Sequence, residues 1–238
     1  MTARLEAGFR RRFRDLLALV RPRLLEKGVE LLMRRASTRS QREGVPLVRA
    51  LADLYEFTRV RVARRLEVTG ACDIVEPPWK RFARAPPRFL CDGSLGGLAR
   101  WLRAAGYPAA AESRSGESLA AEAAVAGVVL LTSEVAVLDR RAVREGRLAV
   151  VWVPSGLEPA AQLGLVLRDL GLAPRPSLCM ACGGSLVPVL KGEVAPRIPP
   201  RTARWKDEYF VCSICDRLFW EGTHWQRISR VVALAAAS

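Results

Sequence analysis

Two short-spaced cysteine pairs constrain this chain more than any other feature: Cys179-Met-Ala-Cys182 and Cys212-Ser-Ile-Cys215, separated by 29 residues (183–211). Thiolates two residues apart can share one ion, and two such knuckles supply the four sulfurs of a tetrahedral structural zinc site. The long gap suits a zinc ribbon better than a tight finger, with Gly183, Gly184 and Gly192 available for turns. A pair of redox dithiols or disulfides is the rival reading. It is the weaker one, because six cysteines in 238 residues are too sparse for a disulfide-built secreted scaffold. An intracellular protein is expected. Cys72 and Cys91 stand alone and read as ordinary buried thiols. His224, the only histidine, follows Cys215 by nine residues. With four cysteines completing the site, it is expected to pack or hydrogen-bond rather than to bind zinc.

Charge divides the chain. Residues 1–90 hold 21 basic and 10 acidic residues, a net of +11, whereas 91–238 hold 17 and 14, a net of +3. Such a surplus favours polyanionic partners, nucleic acid first and acidic membrane surfaces second, although a merely solvated surface gives the same count. No run of eighteen apolar residues exists, so no transmembrane segment is expected. The break in charge coincides with a proline-rich stretch over 76–88, read as an extended linker. Before it, 1–75 reads as a basic helical segment. Phe9, Phe13, Leu16, Leu17 and Val20 fall at helical spacing, Pro22 interrupts them, and Leu24, Leu25, Val29 and Leu32 resume. After a polar gap from Ser37 to Gly44, Leu47, Leu51, Leu54, Tyr55, Thr58 and Val62 form another stripe. The segment is either a set of structural helices with solvated arginines or a basic docking surface for nucleic acid. Arg10-Arg11-Arg12 also has the look of a targeting peptide, but Glu6 and Asp15 argue against that.

Residues 89–173 alternate strand and helix signals. Phe89-Leu-Cys is a short apolar run ending at Asp92; Leu95, Leu98, Ala99, Leu102 and Ala105 then fall at helical spacing up to Gly106. A helix over about 117–126 precedes the strand signal Val128-Val-Leu-Leu-Thr132, which leads to Ser133 and Glu134. Leu148-Ala-Val-Val-Trp-Val153 precedes a last helix over about 159–170. Buried strands separated by helices point to an α/β fold with a parallel sheet covered on both faces. Polar groups at the carboxyl ends of such strands gather in one crevice. Asp92 and Glu134 both stand there, and carboxylates brought together favour a hard divalent ion, Mg²⁺ or Mn²⁺, that can activate water against a phosphodiester. In the blander alternative, Asp92 caps the following helix and Glu134 is simply exposed.

The run from Phe89 to Tyr107, Phe-Leu-Cys-Asp-Gly-Ser-Leu-Gly-Gly-Leu-Ala-Arg-Trp-Leu-Arg-Ala-Ala-Gly-Tyr, resembles the opening signature of the PIN-like RNase domain found at the C-terminus of mut-seven-type exonucleases and in prokaryotic relatives. Leu130-Leu-Thr-Ser-Glu134 is similar to that family's strand ending in threonine, a variable residue and aspartate. The resemblance continues through both cysteine pairs to Phe219-Trp-Glu-Gly-Thr-His-Trp225 and covers about 88–230. It implies a PIN-like three-layer fold over 89–173 followed by a zinc ribbon over 174–232, and a metal-dependent ribonuclease activity, a hydrolase related to exonucleases. It also implies structural zinc on the four cysteines, with Mg²⁺ or Mn²⁺ at Asp92 and Glu134.

The departures bear on activity. The family's second aspartate is here Glu134, one methylene longer. An acid expected at the start of the second helix is met by Ser115-Gly116-Glu117, with Glu112 slightly upstream, and Glu117 is the substitute. Asp139 is a fourth candidate ligand or an ion-pair partner of Arg140 or Arg141. Catalytic candidates are therefore Asp92, Glu117, Glu134 and Asp139. Aromatics crowd the ribbon (Trp205, Tyr209, Phe210, Phe219, Trp220, Trp225), either as core or as platforms for unpaired bases. Arg100, Arg103, Arg201, Arg204, Lys206, His224 and Trp225 are the candidate nucleic-acid contacts, with single-stranded RNA as the expected partner. Against the nuclease stands a catalytically eroded nucleic-acid-binding module on the same fold; a protein-interaction scaffold is third.

Overall fold

The computed structural model describes residues 2–69 and 86–237. Most of the linker expected over 76–88 lies outside the described residues, and so does Cys72.

Three runs form most of a parallel sheet: β1 (Phe89–Cys91), β3 (Val129–Thr132) and β4 (Val150–Trp152), with β1 and β3 at its centre. A fourth strand, β2 (Ala109–Ala111), completes the order β2-β1-β3-β4, every pair parallel. Side chains alternate across the sheet as the period of two requires. Phe89, Cys91, Val129 and Leu131 pack on one face with Leu98 and Leu102 of α4 (Gly96–Ala104) and Leu163, Val166 and Leu167 of α7 (Pro159–Asp169). Leu90 and Leu130 face the other way, against Leu119 and Ala123 of α5 (Gly116–Ala126). The result is the three-layer α/β arrangement expected for a PIN-like domain. The short α6 (Arg141–Arg144) follows a 3-10 turn after β3.

The three N-terminal helices, α1 (Thr2–Ala18), α2 (Leu25–Glu43) and α3 (Leu47–Thr69), bury Phe9, Phe13, Val29, Met33, Ala36, Ala50 and Leu51 together with Trp152 from β4. The polar stretch expected as a gap is helical to Glu43. Its polar side chains lie along a largely solvated face, Arg39 pairs with Glu43 one turn on, and Gly44 ends the helix at φ +66°. Far from being a detached arm, this segment is clamped to the sheet domain. Arg12, 9% exposed, donates to Asp169 at 2.5 Å and to the Trp152 carbonyl, and lies over the Tyr55 and Trp152 rings. Arg168 pairs with Glu56 at 2.9 Å. Arg10, Arg11, Arg12, Arg14, Arg39, Arg49 and Arg59 all stand in ion pairs, but only Asp139 and Asp169 come from outside the segment, so most of its net positive charge remains.

The ribbon is an antiparallel sheet in the order β5 (Leu186–Val189), β6 (Tyr209–Cys212), β7 (Leu218–Phe219), with α8 (Lys191–Val194) and α9 (Pro200–Ala203) inserted between β5 and β6. Val194, Ile198 and Tyr209 form its small core. The last helix, α10 (Thr223–Ala237), leaves the ribbon and returns to the sheet domain, where Val232 joins the core beneath α7. No helix among the described residues is long and apolar enough to cross a membrane.

Candidate metal centre and nucleic-acid interface

The two knuckles are built alike. Gly183 N–H donates to the Cys179 carbonyl at 2.7 Å, and Asp216 N–H donates to the Cys212 carbonyl at 3.1 Å. The residue after each second cysteine is left-handed, Gly183 at φ +86° and Asp216 at φ +55°. Backbone N–H groups of Gly184 and Ile214 point at the sulfurs of Cys182 and Cys212. Gly184 has no room for a side chain, since a Cβ would stand 2.6 Å from Cys212 Sγ. These constraints bring the sulfurs of Cys179, Cys182, Cys212 and Cys215 within 4.8 Å of one another, with no disulfide among them. The Cys179–Cys215 and Cys182–Cys212 sulfur separations, 3.7 and 3.3 Å, lie close to the edge of about 3.8 Å that a tetrahedron with Zn–S bonds near 2.3 Å requires. Burial would raise the Cys212 thiol, but the backbone N–H groups of Cys215 and Ile214 reverse this and bring it down to about 6. The donor set fits structural zinc.

At the carboxyl ends of β1 and β3 the other candidate residues meet. Asp92 is 2% exposed, and its carboxylate accepts four hydrogen bonds. Oδ1 takes the Ser94 N–H at 3.0 Å and the Ser94 hydroxyl at 2.6 Å; Oδ2 takes the Thr132 hydroxyl at 2.7 Å and the Ser133 N–H at 2.8 Å. The capping role is thus real. Thr132 Oγ1 in turn accepts the Glu134 N–H at 3.0 Å, so one hydroxyl ties the two acidic positions together. Glu134 is not simply exposed: Oε2 accepts the Glu117 N–H at 3.1 Å and caps the start of α5, a favourable place for negative charge. α5 approaches this closely because Gly116 faces Thr132, where any Cβ would collide with Oγ1.

Two of the four acidic candidates point elsewhere. Glu117 pairs with Arg140, which holds its carboxyl below the usual range. Asp139 pairs with Arg11 of α1, not with Arg140 or Arg141. Among the described residues, the four cysteines are the one set of three or more His, Cys, Asp or Glu side chains close enough to share an ion. Asp92 and Glu134 thus stand at neighbouring strand ends linked through Thr132, while Glu117 and Asp139 are each paired with an arginine. A pair of carboxylates still suits Mg²⁺, which is commonly held by one or two carboxylates completed by substrate phosphate and water. The carboxylate of Asp92 has about four lone-pair sites, all in use. A cation would therefore have to take the place of a donor, and the exposed Ser94 hydroxyl is the one that a simple side-chain rotation would remove. Ser94 and Ser133, whose hydroxyls meet at 2.9 Å, were not among the sequence candidates. The Asp-x-Ser spacing of a side-chain cap was the available signal.

Arg100, Arg103, His224 and Trp225 line one groove of about 1010 Å³ between α4, the ribbon and α10, together with Arg217, Phe219 and Trp220. Within the protein Arg103 acts as a clamp. Its guanidinium donates to the carbonyls of Ala109, Met180 and Ala181 and so fastens the first knuckle to the sheet domain. Arg201, Arg204 and Lys206 lie apart from this groove, on and after α9, beside Trp205, which is 82% exposed.

Searches of curated proteins and of solved structures return no match. A family model does match: the Mut7-C RNAse domain, over residues 87–232, which takes in the parallel sheet, both knuckles and most of α10. With that match spanning well over half of its length, the chain belongs to the Mut7-C RNAse domain family and is a ribonuclease-like, nucleic-acid-related module.

Proposed function

We propose that the chain is a metal-dependent ribonuclease acting on single-stranded RNA, with Asp92 and Glu134 as its acidic site. The observation that carries this reading is the Thr132 hydroxyl, which joins both acidic positions at the ends of β1 and β3 in a member of a ribonuclease family. Mg²⁺ or Mn²⁺ held there would supply an activated water and charge neutralisation at a phosphodiester. The residues' own tasks are separate: Asp92 is oriented by four donors, and Glu134 is fixed by the N-terminus of α5. Arg34, Arg35, Arg64 and Arg65 of α2 and α3, which stand in no ion pair among the described residues, would add sequence-independent, salt-dependent affinity.

One observation favours a second reading, RNA binding without cleavage. Asp92 is already saturated by protein donors, and both outlying acids are tied to arginines. The test is cleavage of a labelled single-stranded RNA with Mn²⁺ or Mg²⁺, comparing the native sequence with Glu134→Gln. Divalent-dependent cleavage that disappears in Glu134→Gln supports the nuclease. RNA binding without cleavage under any divalent ion establishes the second reading.

A further inference from the structure

We infer that the groove between α4, the ribbon and α10 is the track that holds single-stranded RNA, with Arg100 and Arg217 taking phosphates and Trp225 stacking a base. This rests on the reading that RNA is the ligand and adds where and how it is held. At about 1010 Å³ the groove stands at the upper end of the usual range of ligand pockets, about 300–1,000 Å³. Its lining contains Arg100, Arg103, Arg217 and His224 but neither aspartate nor glutamate. Arg103 is spent on backbone carbonyls. Arg100 and Arg217 are exposed and make no side-chain hydrogen bond or ion pair among the described residues. A cleft whose charges are all of one sign selects an anion.

The aromatic side chains narrow the class. Phe219 and Trp220 at the end of the ribbon sheet and Trp225 at the start of α10 share the same lining. Trp225 is held flat against Phe210, ring centroids 6.0 Å apart and planes within 18°. Fixed rings beside unpaired arginines are what an unpaired strand needs, because its bases offer free faces for stacking. A duplex keeps those faces enclosed, and an acidic peptide has no use for them. α4 then joins this groove to the acids. The helix begins at Gly96, directly after the turn capped by Asp92, and Arg100 lies four residues on, about 6 Å along the axis.

The experiment measures equilibrium binding of a labelled, unstructured single-stranded RNA to the zinc-loaded full chain across a salt series, without added Mg²⁺ or Mn²⁺. Arg100→Glu/Arg217→Glu should weaken binding at least about tenfold and flatten the log–log salt slope by about 1.4, at about 0.7 per lost phosphate contact. Trp225→Ala should weaken it about fivefold or more, while Trp225→Phe stays near the starting affinity. Arg144→Glu, an exposed charge reversal away from the groove, should change it little. Should Trp225→Ala lose zinc, the arginine pair carries the test alone. Unchanged affinity and slope in the arginine pair overturn the groove while leaving the ribonuclease reading intact. No RNA binding by the native sequence overturns both. Equal displacement of the strand by duplex RNA or by polyglutamate shows a general polyanion cleft and overturns the single-strand assignment.

Discussion

Replacing Asp92 with asparagine should destabilise the fold independently of any catalytic loss. The carboxylate accepts two hydroxyls and two backbone N–H groups, those of Ser94 at 3.0 Å and Ser133 at 2.8 Å, on opposite oxygens. The hydroxyls of Ser94 and Thr132 can turn round and accept from an amide. The two N–H groups cannot. Asparagine offers one oxygen and one NH₂, so one backbone N–H must face another donor in a site that is 2% exposed. A buried donor left without a partner costs about 1–3 kcal/mol, and a bond to a charged acceptor is worth about 1.5–3 kcal/mol, so the loss is about 2–4 kcal/mol. For a chain of this size that lowers Tm by about 4–16 °C. Glu134→Gln gives the contrast. Its amide oxygen can still accept the Glu117 N–H, and only the charge at the start of α5 is lost, about 0.3–1 kcal/mol. Thermal unfolding of the zinc-saturated proteins at neutral pH checks both values. If Asp92→Asn is as stable as the native sequence or more so, carboxylate repulsion outweighs the four hydrogen bonds and the reasoning fails. The difference also decides which variant tests catalysis: Glu134→Gln removes the charge and keeps the fold.

Four further outcomes follow from the same geometry. Chelation should release about one zinc per chain and abolish amide-exchange protection in β5–β7 while α4, α7 and α10 stay protected, because α10 is anchored by Val232 in the sheet domain's core. Protection that survives chelation would mean the ribbon folds without metal. Arg12→Met leaves the largely buried Asp169 with only the Tyr55 hydroxyl at 3.3 Å among the described residues and should cost about 3–5 kcal/mol in urea unfolding, with much of it recovered when Asp169 is also replaced by Leu. Gly116→Ala drives a methyl into Thr132 and should cost about 1–3 kcal/mol by calorimetry. Cys91 should resist iodoacetamide at neutral pH in the native state, as read by mass spectrometry, because burial and then the neighbouring Asp92 push its thiol up to about 12 and keep it protonated.

The sheet was legible where both faces are covered, since β1, β3 and β4 then read as unbroken apolar runs. The edge strand β2 was not, because three alanines carry no strand preference and its place is set by pairing with β1. α10 did leave a signal: Ile228, Val232, Ala235 and Ala236 repeat at helical spacing. The four cysteines were legible from spacing alone, because two local knuckles create the site and only their meeting is tertiary.

The acidic site divides along the same line. Asp92 and Glu134 were legible because a parallel sheet brings its strand ends together wherever the helices run. The fates of Glu117 and Asp139 were not, since each is decided by an arginine. Arg140 adjoins Asp139 in sequence yet reaches to α5, and Asp139 is taken by Arg11, 128 positions earlier. The N-terminal segment, which the sequence marked as a basic helical segment, thereby enters the electrostatics of the strand ends. It covers Trp152 at the β4 edge and draws one carboxylate off the strand ends. A carboxylate pair with arginines on its flanks repels a phosphodiester less than four free acids would, and it leaves an approaching cation only two charged ligands. Fewer free acids would thus weaken a metal's hold while easing the approach of a phosphodiester, so binding and cleavage have to be measured separately.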